Sequence, residues 1–330
     1  NSELARRILN EGVNEPLRTN QTFLLPVWYD ENKFRRGQLY FHQNYFSLFV
    51  SKLCGLLVVL VVPSILQVLV LTGNSSEPLT AFKRYLDTLL HMLQWYDGDL
   101  KNPNSRACKS LLNVRGQHYH ATKRVCKAGF KNISQRDMSL TLFGFMGFAV
   151  LRSKELGLTG SDKDIEGFIH FWRVIGHLIG IKDNFNLCSG DIQSTREACQ
   201  VIMEEVFTPG LQNPPNGFHK MSRALLEGVW ALVPTIDPEA FLNFTKLLCG
   251  INDVSSEKFY SRVVLNLQLF VQNVLLNSIL AFLIRPILNF NMWLAIIITQ
   301  KYPFLAFMSF GRNVFPPDVY TLKSSIEASQ

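Results

Sequence analysis

The sequence predicts an all-α protein built as a single large helical domain, and three observations carry that expectation. Apolar residues recur at spacings of three and four through most of the chain, capping residues and turn signals bracket those runs, and no useful stretch of period-two alternation interrupts them. Across 330 residues there is neither an internal repeat nor a linker-like shift in composition. One domain over 1–330 is therefore expected, with an irregular arm at 1–37 and an apolar C-terminal region at 263–311.

The arm is polar and broken by Pro16 and Pro26, which leaves room for one short helix. From 53 to 71 the chain then reads LCGLLVVLVVPSILQVLVL, 19 residues without a charge, a length that begins to permit a membrane span. Pro63, Ser64 and Gln67 interrupt it, so a kinked helix buried in the core and a membrane span both fit. The next segment, PLTAFKRYLDTLLHMLQWY, has helical apolar spacing and stops at the turn-rich YDGDLKNPNS.

A basic helix is expected over 105–127. Ser134, with Asp137 three positions on, has the form of an N-cap opening QRDMSLTLFGFMGFAVL. Further helices are expected at 164–180, 194–207, around 221–232 and at 238–248. The tail from 263 to 310 is apolar but punctuated by Asn266, Gln268, Gln272, Asn273, Asn277, Arg285, Asn289, Asn291 and Lys301. So many amides do not suit a clean span, and helices lying on or partly within a membrane are expected instead.

Composition narrows the partners. The chain is 47% hydrophobic and only 18% charged, below the roughly 25% of an ordinary soluble domain, so some apolar surface should meet lipid or an apolar ligand. A net charge of +7 is spread out with no Lys/Arg block, which speaks against nucleic acid and leaves an anionic membrane surface open. Six cysteines stand far apart with no CxxC pair, the pattern of reduced thiols rather than a zinc ribbon or a disulfide scaffold. Sequons at Asn20, Asn74, Asn132 and Asn243 point weakly toward glycosylation. Nothing in the first 30 residues has the form of a signal peptide.

Two polar clusters stand out on otherwise apolar helices. Arg84, Asp87, Thr88 and His91 fall on one face by their spacing, which is either an exposed polar stripe or the wall of a site. In VRGQHYHATKR, Arg115 and His118 share a face while His120 points elsewhere. A zinc site would need further ligands close by in sequence, and none is there.

The order of segments resembles the family that unites bacterial latex-clearing protein, a rubber oxygenase, with the fungal ER-bound oxygenase MpaB, and is more similar still to its uncharacterised animal members. The matching pieces are LPVWYDENKFRRGQLYF, SSEPLTAFKRYLDTLLHMLQWYDG, VRGQHYHATKR, ISQRDMSLTLFGFMGF and EGFIHFWRVIGHLIGIKDNFNLC, in order over roughly 25–230. The specific part is VRGQH followed at short distance by QRDMSLTLFGF.

The resemblance implies a globin-like helical core around a b-type haem, with His118 as the proximal iron ligand and therefore the metal-binding residue. Arg84 and Thr88 match the family's distal Arg-x-x-x-Thr pattern, and Thr141 matches the threonine of the downstream helix. Where latex-clearing proteins place a distal lysine, this chain has Asp87, a departure that bears directly on polyisoprene cleavage. The implied activity is haem-dependent attack by dioxygen on an apolar, unsaturated lipid or isoprenoid, at a membrane and, as in MpaB, at the endoplasmic reticulum with the catalytic domain facing the cytosol.

A haem is a broad apolar plate with two propionates, so its pocket should combine apolar walls, one imidazole and basic groups. Leu112, Phe143, Phe145, Met146 and Phe148 are candidate walls, with ordinary core packing as their other reading. Arg115 is a candidate propionate partner, Arg84 could hold a propionate or neutralise Asp87, and Thr88 could donate to dioxygen. Asp87 could accept or donate a proton, and His91 is either structural or a sixth ligand. His120, His170 and His177 are read as structural. A haem or lipid carrier without catalysis, and a membrane protein without cofactor, remain the alternatives.

Overall fold

A computed structural model describes residues 2–17, 23–73, 75–256, 258–311 and 314. Among them no β-strand occurs, only one isolated antiparallel bridge between Pro16 and Ser134, and the architecture is the all-helical one expected. The sequons at Asn20 and Asn74 lie outside the described residues. Of the other two, Asn132 is exposed and Asn243 is buried, its amide donating to Ser255 and Ser256, so Asn243 is closed to a glycan.

The arm is more regular than its composition suggests. Helix α1 (Glu3–Asn10) is capped by the Ser2 hydroxyl, and α2 (Glu31–Gln43) by the Asp30 carboxylate, so helix starts six residues before the expected end of the arm. Two prolines were a reason to expect irregularity, but both fall between the helices and neither interrupts one.

The apolar stretch at 53–71 is divided between two helices. α3 (Tyr45–Val59) and α4 (Pro63–Thr72) meet at a bend of 95°, with Pro63 in the first turn of α4, where its missing N–H costs nothing. Twelve of the 15 residues of α3 are buried, so this helix is the centre of the core, and the buried, kinked reading holds. It lies against α7 (Gln135–Leu151) closely enough that a Cβ on Gly55 would come within 1.7 Å of the Gly144 carbonyl. Only a pair of glycines permits backbones to approach so closely.

Between them in sequence run α5 (Pro78–Asp97) and α6 (Arg106–Lys127). Helix α7 opens with the Ser134–Asp137 capping box that the sequence announced. Helix α8 (Asp162–Leu178) packs along α2, again through glycines, with Gly37 against the Gly167 carbonyl. Trp28 is wedged edge-on to the rings of His170 and His177 and donates to Asp183 at 2.8 Å, while His170 accepts the Asp30 N–H at 3.1 Å. Both histidines thus tie the arm to α8, the structural role expected of them.

Then follow α9 (Ile192–Ile202), a π turn at Met203–Phe207, α10 (Thr208–Gln212), α11 (Phe218–Trp230), which packs on α5, and α12 (Pro238–Leu248). The C-terminal region holds α13 (Phe259–Leu269), α14 (Ala281–Lys301) and α15 (Phe304–Phe310). α14 is long and apolar enough to cross a membrane, and little of it is covered by the rest of the chain. All six cysteines are free, and only Cys126 is exposed.

Candidate active site

Helices α3 to α8 all contribute side chains to one chamber of about 730 Å³, within the ~300–1,000 Å³ of small-molecule and cofactor sites. Its apolar walls come from Leu56, Ile65, Val68, Leu69, Phe145 and Trp172, among others. The bend at Pro63 creates it: one half of the apolar stretch fills the core, and the other turns across the chamber.

The polar groups come chiefly from α5 and α6, which run side by side. Arg84, Asp87, Thr88 and His91 line one wall, His118 another, and Thr141 enters from α7. The helical face read from the sequence is therefore a chamber wall rather than a solvated stripe. Arg84 is near enough to His118 that its charge helps keep the imidazole neutral, although burial does more, and together they hold its pKa down at about 4. His118 is half-buried as a whole because one edge meets the open chamber, while its Nδ1 is sealed from solvent and has no hydrogen-bond partner. A neutral imidazole whose edge meets the chamber is suited to hold a metal ion there.

His91 is different. Its ring is 2% exposed, with Nδ1 2.7 Å from the Ser110 hydroxyl and Nε2 3.6 Å from Asp87. Ser110 also accepts the indole N–H of Trp95 at 2.8 Å. His91 is thus tied to the protein through Nδ1, in keeping with the structural reading of it. The Thr88 hydroxyl donates to the Arg84 carbonyl at 3.0 Å and that of Thr141 to the Asp137 carbonyl at 2.8 Å, so each proton is held by its own helix and oxygen lone pairs face the chamber.

Several expected members lie elsewhere. Arg115 is half-buried but does not line the chamber, where Lys83, Arg84 and Arg124 supply the basic groups. Leu112 is 47% exposed on the outer face of α6. Phe143, Met146 and Phe148 are fully packed in the core, and of the proposed walls only Phe145 meets the chamber. His120, read as structural, does line it. The overlooked walls came from the 53–71 stretch and from Trp95 and Trp172; the signal was Pro63, which marks where an apolar run must change direction. Among the described residues no three His, Cys, Asp or Glu side chains gather closely enough to hold a metal without another scaffold.

Fold and site together define a class of protein: an all-helical domain around an apolar chamber lined by the neutral His118 and several cationic side chains. The chain belongs to the family described as ER-bound oxygenase mpaB/B'/Rubber oxygenase, catalytic domain, whose profile matches residues 39–296. It is 28% identical over 105 residues to the rubber oxygenase of Streptomyces sp. (strain K30), a match over 32% of this chain and 23% of that protein. The matched stretch thus spans about a quarter of the relative. The latex clearing protein LCP in its closed state has a similar fold, with a TM-score of 0.55 and 16% identity over 89% of this chain and 88% of that one.

Proposed function

We propose that this chain holds a b-type haem in the chamber, with His118 as the residue that would bind its iron, and uses dioxygen to oxygenate an apolar, unsaturated lipid or isoprenoid. The observation that carries the reading is the His118 ring, kept neutral by burial and by Arg84 and set at the edge of an apolar space of cofactor size. Family membership supplies the reaction class.

The residues present fit the group. His118 would bind iron, and the guanidinium and ammonium groups of Arg84, Lys83 and Arg124 would neutralise the two propionates. When bound, the haem supplies the activation of dioxygen. The chain's own part is positioning and exclusion of water. Apolar walls receive the hydrocarbon and keep bulk water out, and Asp87, with His91 behind it, can hold or release a proton at its carboxylate. A membrane is the natural source of such a substrate; the family description, ER-bound, supports a place at the endoplasmic reticulum, and a domain facing the cytosol is part of the proposal.

One observation favours a second reading, a haem or lipid carrier without catalysis. The Thr88 proton is held by the Arg84 carbonyl and that of Thr141 by the Asp137 carbonyl, so neither threonine is a ready donor to dioxygen as the chamber stands. Absorption spectra of the purified protein, oxidised, reduced and with carbon monoxide, test both. A Soret band with stoichiometric iron, lost in His118→Ala, is expected. Colourless wild-type protein after haem reconstitution would overturn the haem reading altogether, and a haem protein that consumes no oxygen with any alkene would leave the carrier.

A further inference from the structure

We propose that α13 to α15 form an in-plane docking face for an anionic lipid bilayer, with the exposed side of α14 resting in the interface rather than crossing the membrane. The inference deepens the membrane reading above by naming the surface and its mode, and it stands independently of the haem.

Exposed apolar side chains are not scattered over this molecule. Among the described residues 26 large hydrophobics are exposed, and 18 of them fall between Phe259 and Met308. A patch so concentrated marks an interaction site rather than chance exposure. On α14 the pattern is helical. Arg285, Asn289, Met292, Ile296 and Thr299 share one side and face the body, whereas Leu283, Ile287, Phe290 and Ile298 project from the other, each between 46% and 56% exposed.

The inner side settles how α14 meets a bilayer. Arg285 donates to the Asn44 side chain at 3.1 Å, the Gly157 carbonyl at 2.6 Å and the Leu276 carbonyl at 3.0 Å. Asn289 accepts the Phe46 N–H at 2.9 Å and donates to the Gln43 carbonyl at 2.9 Å. These bonds clamp α14 along the junction of α2 and α3. Beside that junction the His42–Asp97 pair is open to solvent, with side chains 47% and 64% exposed. Were α14 to span, the clamp would carry these groups into hydrocarbon, where polar and ionised side chains are costly. Lying flat, the helix buries only its outer apolar side.

Charge selects lipid as the occupant. From 258 to 311 the ionised side chains are Lys258, Arg262, Arg285 and Lys301, and no Asp or Glu occurs, although the whole chain has 26. A second copy of this surface would set like charge against like, while anionic headgroups complement it. Tyr260, Trp293 and Tyr302 add the amphipathic rings that favour the headgroup level.

The test is flotation of the purified full chain with phosphatidylcholine vesicles, with and without phosphatidylserine. Binding to the anionic vesicles, weakened at least tenfold in Leu283→Gln/Ile287→Gln/Phe290→Gln and by charge reversal at Lys258, Arg262 and Lys301, is the expected result, with extraction by alkaline carbonate. Circular dichroism melts check that each variant folds, and Val70→Gln/Leu112→Gln, exposed elsewhere, should bind as wild type. Resistance to carbonate would overturn the in-plane mode. Undiminished binding by both variant sets would show that another surface meets the membrane, leaving the broader membrane reading in place. Absence of binding to any vesicle, or dimerisation through the patch, would sink both the docking face and that reading without touching the haem assignment.

Discussion

Asp87 Oδ1 lies 3.6 Å from Nε2 of His91, and this pair occupies the position where the resemblance to latex-clearing proteins leads one to expect a lysine. Burial lowers the pKa of His91 and the Asp87 charge opposes that shift. Asp87→Asn should therefore move the His91 titration to lower pH, read by NMR of ring-labelled protein before any haem is added. An unchanged or higher pKa would mean that the two groups do not interact.

Ser110 binds two partners at once, the His91 ring and the Trp95 indole. Ser110→Ala leaves both buried polar groups without it, at a cost of about 2 kcal/mol. Chemical denaturation should show this loss with an unchanged m-value. A change below a few tenths of a kcal/mol would mean that neither bond matters to the fold.

The Gly55–Gly144 crossing predicts opposite signs for two glycine substitutions. Gly55→Ala puts a methyl group into the Gly144 backbone, so α3 and α7 must separate, and a loss of about 3 kcal/mol or more is expected. Gly116→Ala, in the middle of α6 with no atom within 4 Å of the new carbon, should instead add about 0.5–1 kcal/mol. Thermal melts of the two variants check the pair.

His170 sets an acid limit. Its pKa is held down at about 4, mainly by burial, against an ordinary 6.5, and its Nε2 accepts the Asp30 N–H. Asp30 opposes the shift, while Lys33 and Arg173 add to it. Between those values the unfolded chain takes up a proton that the folded one refuses, so stability is complete above about pH 6.5 and falls as the pH drops toward 4. His118 contributes in the same window, so His170→Gln should reduce the slope of this part of the stability profile without abolishing it; an identical slope in the variant would assign it to other groups.

How much was legible in advance differs between elements. The cap at Ser134 with Asp137, the start of α12 at Pro238, and the one-faced grouping of Arg84, Asp87, Thr88 and His91 are local features, fixed by neighbours three or four residues away. They were readable because helix periodicity and capping depend on nothing distant. The walls around Leu112 and Phe143 went astray for the opposite reason: which side of a helix meets a cavity depends on the neighbouring helices, and α6 and α7 turn those residues outward and into the core.

By itself the sequence established that the chain is helical, and it singled out His118 and the α5 quartet as the candidate site. Tertiary structure alone decided that the stretch after Lys52 bends by 95° into core and chamber wall, that Trp172 joins the site from α8, and that Arg285 and Asn289 clamp α14 to the body. The physical reason is common to all three. Hydrophobicity is non-directional and states only that a side chain leaves water, whereas the partner that receives it is set by long-range packing and by hydrogen bonds across as many as 247 residues of chain.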